Sequence, residues 1–229
     1  MRYLSLDIET SGLDPHQHNI LEFGAVLDDL SVQAPLSELP TFHCYVLPPS
    51  PAGYTGDPYA LQMNQAILEE IAKRKQKGRY EGRVAPRFVY PSELIYPFAS
   101  WAMQQGLTTK PVRPPVQDED AVCAADEPSE IKFVAAGKNV AGFDLPFLRA
   151  QLPGFDKLRI SHRVLDPAML YFDPSTDSVP PDLATCLERA GLESTVTHLA
   201  VDDSLQVIRL LRHAYPLVDG VIQPRVVCV

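Results

Sequence analysis

LSLDIETSG, residues 4–12, places Leu4, Leu6 and Ile8 at every second position, with Ser5, Asp7 and Glu9 between them. Side chains of a strand point alternately to opposite faces, so this spacing predicts a half-buried strand. It also puts Asp7 and Glu9 on one face, two like charges side by side near the strand's end. The SGLDP that follows is a turn, and the ends of sheet strands are where clefts and ligands are commonly found. Two readings stand at this point: a solvated polar edge, or an acidic site that something else must compensate.

The rest of the chain supplies a sheet for that strand. Strand-like segments are predicted at about 2–8, at 20–27 (ILEFGAVL) and at 42–47 (FHCYVL). The tract PPSPAGYTGDP, 48–58, is a loop by its prolines and glycines. A helix is predicted from Tyr59 to Gln76, and another over 92–105, SELIYPFASWAMQQ, where Pro97 kinks it or marks a boundary. Residues 107–130 are rich in proline and acids, with little periodicity, and read as a long loop or disordered insertion. A buried strand (IKFVAAG, 131–137), a helix from near Asp144 and a short strand at 162–165 come next. Helices at 182–190 and 199–214 complete the pattern. Strands first, then strands alternating with helices, predict a mixed α/β sheet with helices on both faces. We expect one domain over 1–229, carrying insertions at about 48–58 and 76–130.

Composition narrows the classes. The chain has 229 residues, 45% hydrophobic and 21% charged, with a net charge of −9. That balance argues against a general nucleic-acid coating protein, whose affinity rests on basic surface. One stretch departs from it: KRKQKGRYEGRVAPR, 73–87, holds Glu81 as its only acid. Its first residues either complement the negative end of a helix dipole or contact a polyanion. No signal peptide is expected at Met1–Thr10, and no apolar run reaches the roughly 18 residues of a membrane span. Cys44, Cys123, Cys186 and Cys228 are scattered and lack a CxxC pair, so reduced thiols and a cytoplasmic location are expected. His16 and His18 form an HxH pair in a polar turn, but no further ligand pattern supports a zinc hydrolase.

Two further carboxylates sit oddly. In GKNVAGFDLPFL, 137–148, Asp144 stands where a helix begins. Aspartate is a favoured N-cap, which is sufficient reason for it, although Phe143 beside it could stack on a base. In HLAVDDSLQVIRLLRHA, 198–214, Asp202 shares a polar stripe with Gln206, Arg209 and His213. Asp203 instead falls on the apolar stripe of Ala200, Val207, Leu210 and Ala214. A carboxylate on that stripe needs a partner, and His198 lies at the start of the same helix.

These residues together resemble the DEDDh group of 3′–5′ exonucleases, of the ribonuclease-H-like fold. DIETSGL (7–13) resembles its first motif, D-x-E-x-T-G-L, with Ser11 in the usual threonine position. NVAGFD (139–144) resembles the second, N-x-x-x-F-D, and HLAVDD (198–203) the third, H-x-A-x-x-D. VLDP at 164–167 and LATCLERAGL before the third motif are weaker echoes. Each motif alone is weak; the three in order are specific.

The resemblance implies two divalent ions, Mg2+ or Mn2+, held by Asp7, Glu9, Asp144 and Asp203, with His198 as general base. Carboxylate oxygens suit such hard cations, and a histidine accepts a proton near neutral pH. It implies that Thr10, Ser11, Gly12 and Leu13 contact the terminal nucleotide, with Leu13 and Phe143 packing against sugar or base and Asn139 also binding substrate. Lys73, Arg74, Lys75 and Lys77 are candidates for guiding the strand. The expected substrate is the 3′ end of single-stranded nucleic acid, DNA favoured, degraded to 5′-nucleoside monophosphates. A polymerase or other replication or repair protein is an expected partner, and no membrane is. The alternatives are oligoribonuclease-like action on short RNA and a non-catalytic binding or polymerase-accessory domain.

Overall fold

The computed structural model describes residues 1–51, 53–73, 87–107, 131–193 and 197–225. Three antiparallel strands start the chain: β1 (Arg2–Thr10), β2 (Ile20–Asp29) and β3 (Thr41–Val46). Helices α1 (Pro58–Met63) and α2 (Gln65–Lys73) follow, then β4 (Arg87–Val89) and α3 (Ile95–Gln104). Next come β5 (Ile131–Phe133), β6 (Ala135–Ala136), α4 (Asp144–Gln151) and β7 (Leu158–Ile160). Helices α5 (Leu183–Arg189) and α6 (Ala200–Ala214) precede a small hairpin, β8 (Leu217–Val218) and β9 (Val221–Ile222).

The main sheet runs β4-β3-β2-β1-β6, with β6 parallel to β1 and β4 parallel to β3. β5 and β7 pair separately, and Leu165 adds a single parallel bridge to Ala136. On one face Leu4, Leu6 and Ile8 join Phe23, Phe42 and Val46 against Phe98 and Trp101 of α3 and Phe147 and Leu148 of α4. On the other face Tyr3 and Val26 pack under Val201, Val207, Ile208 and Leu211 of α6. Cys186 and Leu187 of α5 pack with Leu210 and Tyr171 alongside α6. The mixed sheet with helices on both faces is as expected.

Several local expectations change. β1 is not half-buried, because α6 lies on its polar face: Tyr3 and Ser5 are buried there, and Ser5 Oγ donates to the Ser204 carbonyl at 2.9 Å. The backbone of α6 comes so close to β2 that a Cβ on Gly24 would stand 2.6 Å from Ala200 and Val201 backbone atoms. The helix expected from Tyr59 to Gln76 is broken at Asn64, which is buried and donates Nδ2–H to the Thr10 carbonyl at 3.0 Å. The helix expected from 92 begins at Ile95, and the strand expected at 162–165 is reduced to the Leu165 bridge, with a three-residue strand before it at Leu158–Ile160. Part of the 76–130 insertion is ordered sheet and helix, β4 and α3; residues 74–86 and 108–130 lie outside the described residues.

Candidate active site

The odd carboxylates meet at the C-terminal end of β1. Residues 7 and 9 face α6, and the register shifts between Glu9 and Thr10, an irregularity that re-aims side chains at strand ends. β6 pairs with β1 at Leu4 and Ser5, and beyond them no strand pairs with this edge of β1 among the described residues. Asp144 uses it: its Oδ1 accepts the Ile8 N–H at 3.1 Å from the first position of α4. The sequence left Asp144 as a helix cap or a site acid. Phe143 occupies the N-cap position, and the Asp144 carboxylate reaches back to β1.

Asp203 enters from the first turn of α6 and is buried, whereas Asp202 is half-exposed. Oxygens of Glu9 and Asp203 and a ring nitrogen of His198 all lie within 4.8 Å of one another. His198 is exposed and has a left-handed backbone with φ of 51°.

The electrostatics are those of acids packed against one another. Burial first, then Asp144, Glu9, Asp203 and Glu22, raise Asp7 well above the carboxylate range. Burial and the charges of Glu22, Asp203 and Asp144 push Glu9 up to about 8, opposed by a hydrogen bond from Asn64. Asp144 is pushed up to about 7, mainly by burial, with the Ile8 N–H opposing. Asp203 is pushed up to about 6 by burial, against His198 and the Thr197 N–H. Asp203 Oδ1 has no hydrogen-bond partner among the described residues, an expensive state for a buried oxygen. An all-carboxylate donor set with a bare buried oxygen fits a hard divalent cation.

The neighbouring loop is firmly held. Ser11 is buried: its hydroxyl donates to the Thr55 carbonyl and accepts from Asn19 N–H, and its own carbonyl accepts from Asp57 N–H at 2.8 Å. Thr10 Oγ1 donates to the Gly12 carbonyl at 2.7 Å, and a Cβ on Gly12 would meet the His18 ring. Leu13 projects from this loop, 79% exposed. Across the site Phe143 is half-buried against Phe147, their ring centres 5.1 Å apart. Asn139, φ 55°, is exposed, and its N–H donates to Asp166 Oδ2 at 2.9 Å.

Lys73 ends α2 in ion pairs with Glu70 at 3.1 Å and Glu69 at 3.8 Å, the helix-end role. Arg74, Lys75 and Lys77 lie outside the described residues. His18 accepts the Asp14 N–H through Nδ1, and the HxH pair joins no metal-ligand group among the described residues. Sequence reasoning missed three residues that shape the site, Asn64, Glu22 and His43, and touched Asp166 only through the VLDP echo. Glu22 was the readable one, a carboxylate inside the apolar run ILEFGAVL.

No family model matches the chain, and no curated protein matches it in sequence. Solved structures match it in shape. One is exonuclease I, whose structure suggests how processivity is achieved: TM-score 0.54, 15% identity, covering 93% of this chain. This chain spans only 40% of that protein's length. A second is a 3′-exonuclease in the 3′-end specific recognition of a histone mRNA stem-loop: TM-score 0.55, 14% identity, covering 98% of this chain and 90% of the other. A third is the nuclease domain of 3′hExo, a DEDDh family member, bound to rAMP: TM-score 0.54, 14% identity, with 92% and 89% covered. The chain has the ribonuclease-H-like fold of these 3′-exonuclease structures, and the residues of its three DEDDh-like motifs gather at one end of the sheet.

Proposed function

We propose that the chain is a divalent-metal-dependent 3′–5′ exonuclease acting on single-stranded nucleic acid. The observation that carries this reading is the convergence of Asp7, Glu9, Asp144 and Asp203 beside His198. That they do so on a fold shared with 3′-exonucleases supports it. The four acids would hold two ions, Mg2+ or Mn2+. Bound there, the ions would supply positive charge to the attacking and leaving oxygens of the scissile phosphate.

The chain's own residues do the rest. His198, exposed at the rim, takes the proton from the attacking water, a task suited to an imidazole near neutral pH. Its ring nitrogen lies within 4.8 Å of Glu9 and Asp203 oxygens while the residue stays exposed, so it stands at the edge of the acids and open to solvent. The tied loop at Thr10–Leu13 offers backbone groups to the terminal nucleotide, and Leu13 and Phe143 present apolar surface to sugar and base. The buried Ser11 hydroxyl, already engaged, fixes that loop and does not bind substrate. The product is a 5′-nucleoside monophosphate.

DNA is the expected strand, and the oligoribonuclease-like alternative has one observation in its favour: one structural neighbour is described with a histone mRNA stem-loop and another with rAMP. Matched DNA and RNA oligomers of several lengths, followed for mononucleotide release, decide between them. A short-RNA enzyme loses activity as length grows. A binding module releases nothing with either metal. Replacing Lys73, Arg74, Lys75 and Lys77 with alanine is expected to weaken binding to long strands and flatten its salt dependence. An unchanged salt slope removes these residues from the strand path.

A further inference from the structure

The start of α6 carries both His198 and Asp203, yet it has no cap of its own. The N-cap residue Leu199 makes no side-chain capping bond. The first N–H groups of a helix need acceptors, ordinarily supplied by Ser, Thr, Asp or Asn at that position. Here the acceptor comes from another strand: Glu22 Oε2 on β2 accepts the Ala200 N–H at 2.9 Å. The other oxygen, Oε1, lies 2.5 Å from His43 Nε2 on β3. The imidazole ties that oxygen, so both oxygens of the carboxylate are engaged. Glu22 is 1% exposed and His43 6% exposed, so water does not substitute for either contact.

We propose that the Glu22–His43 pair is a positioning device for the site, capping α6 from the sheet and thereby setting His198 and Asp203 against Glu9. This proposal rests on the exonuclease reading. Glu22 is the direct cross-strand partner of Glu9. The residue that holds the helix start is therefore registered on the strand that carries the first two acids. Two residues from Glu22, Gly24 lets the α6 backbone sit against β2. The Asp203 N–H closes the first turn on the Leu199 carbonyl at 3.0 Å, so fixing Ala200 fixes Asp203 within the same turn. His198 lies on the other side of the fixed point, with its strained left-handed backbone. A purely structural cap needed no charge: serine or threonine at position 199 serves most helices. The chain instead places another carboxylate beside acids that already repel one another, and ties it with His43. That arrangement brings three elements into one register. Glu22 and His43 are positioning residues, acting through α6.

The test compares Glu22→Ala, which removes the cap, with Glu22→Gln, which keeps an oxygen for the Ala200 N–H. Displacing catalytic groups by about 1 Å lowers rates by roughly 100-fold, so kcat of Glu22→Ala on a single-stranded oligonucleotide should fall about 10- to 100-fold. KM should stay nearly constant, Mn2+ affinity by calorimetry should weaken, and the Ala200 amide should exchange faster. Glu22→Gln should restore kcat to most of its wild-type value. A lowered melting temperature with kcat per folded molecule unchanged overturns the proposal, as does glutamine rescue of stability without rescue of kcat. If Glu22→Ala does not fold, His43→Gln takes its place, with a smaller fall in kcat expected and an unchanged kcat overturning it. If the wild-type chain releases no nucleotide, the exonuclease reading fails on its own. The cap is then decided by Ala200 exchange and Mn2+ affinity: faster exchange with weaker binding supports it, and no change in either overturns it.

Discussion

The two ends of α6 treat buried carboxylates in opposite ways. Toward its C-terminus Arg212 meets Asp28, with Nη2 to Oδ1 at 2.5 Å and Nε to Oδ2 at 3.1 Å. Tyr3 donates its hydroxyl to the same Oδ2 at 2.6 Å. Nearby, Arg189 grips Asp177 with two nitrogens and holds its carboxyl well below the usual range. Toward the N-terminus of α6, Asp203 meets Glu9 and His198, and one of its oxygens meets nothing among the described residues. One chain, one helix and one sheet thus contain both solutions. Where a carboxylate has only to be stable, an arginine is encoded beside it. At the site no arginine accompanies the acids among the described residues, and the charge is left for something bound from outside.

Breaking each end separately tests that contrast. Asp203→Asn keeps the shape and removes the charge. It is expected to lower turnover by about 1,000-fold or more, since metal-assisted charge stabilisation amounts to several kcal/mol of the barrier. The melting temperature of the metal-free variant should hold or rise, because a repelled charge has gone. Arg212→Ala should do the reverse. Leaving Asp28 buried and unpaired destabilises by about 3–5 kcal/mol, measured by denaturant unfolding, with turnover per folded molecule retained.

Titration sharpens the same difference. Glu9, Asp144 and Asp203 keep protons in the folded chain up to about 8, 7 and 6. In the unfolded chain they lose them near pH 4. The folded state binds more protons over that window, so metal-free stability is fully present below about pH 4 and is lost as pH rises through these values. Asp177 behaves oppositely, its contribution present above its unfolded value and lost as pH falls toward its depressed one. In chelator the melting temperature should therefore decline from pH 5 to pH 8.5. Mg2+ or Mn2+ at about 100 times its dissociation constant should return about 2.7 kcal/mol at the alkaline end, and much less at pH 5. A flat profile in chelator contradicts the account of uncompensated acids. The smallest effect belongs to Asn64→Ala, which removes the bond to the Thr10 carbonyl and the one that opposes the rise of Glu9. About 1 kcal/mol of stability and a several-fold fall in turnover are expected.

Much of this was legible in the sequence, for identifiable reasons. Alternation at Leu4, Leu6 and Ile8 located β1, and Asp203 stood out because it interrupts an apolar helical stripe. Other features depend on contacts between distant segments and leave little local signal. The polar face of β1 looked solvated because Ser5 and Tyr3 are ordinary at an exposed strand face; the covering helix comes nearly 200 residues later, where Ser204 accepts from Ser5. Asn64 broke a continuous helical pattern because its side chain is spent on Thr10, which periodicity cannot register. Asp144 satisfied the rule for an N-cap, so its reach to Ile8 was hidden behind a sufficient local reason. Glu22 was visible as a charge in an apolar run, but its helix partner was not.

The central claim is that these acids form the centre of a metal-dependent exonuclease. The most direct measurement follows a 3′-end-labelled single-stranded oligonucleotide with the wild-type chain and with Asp203→Asn, each with Mg2+ or Mn2+ and with chelator. The account predicts release of the labelled terminal 5′-mononucleotide by the wild type with metal, and none with chelator or from Asp203→Asn. No release by the wild type with either metal, or equal release by Asp203→Asn, would contradict it.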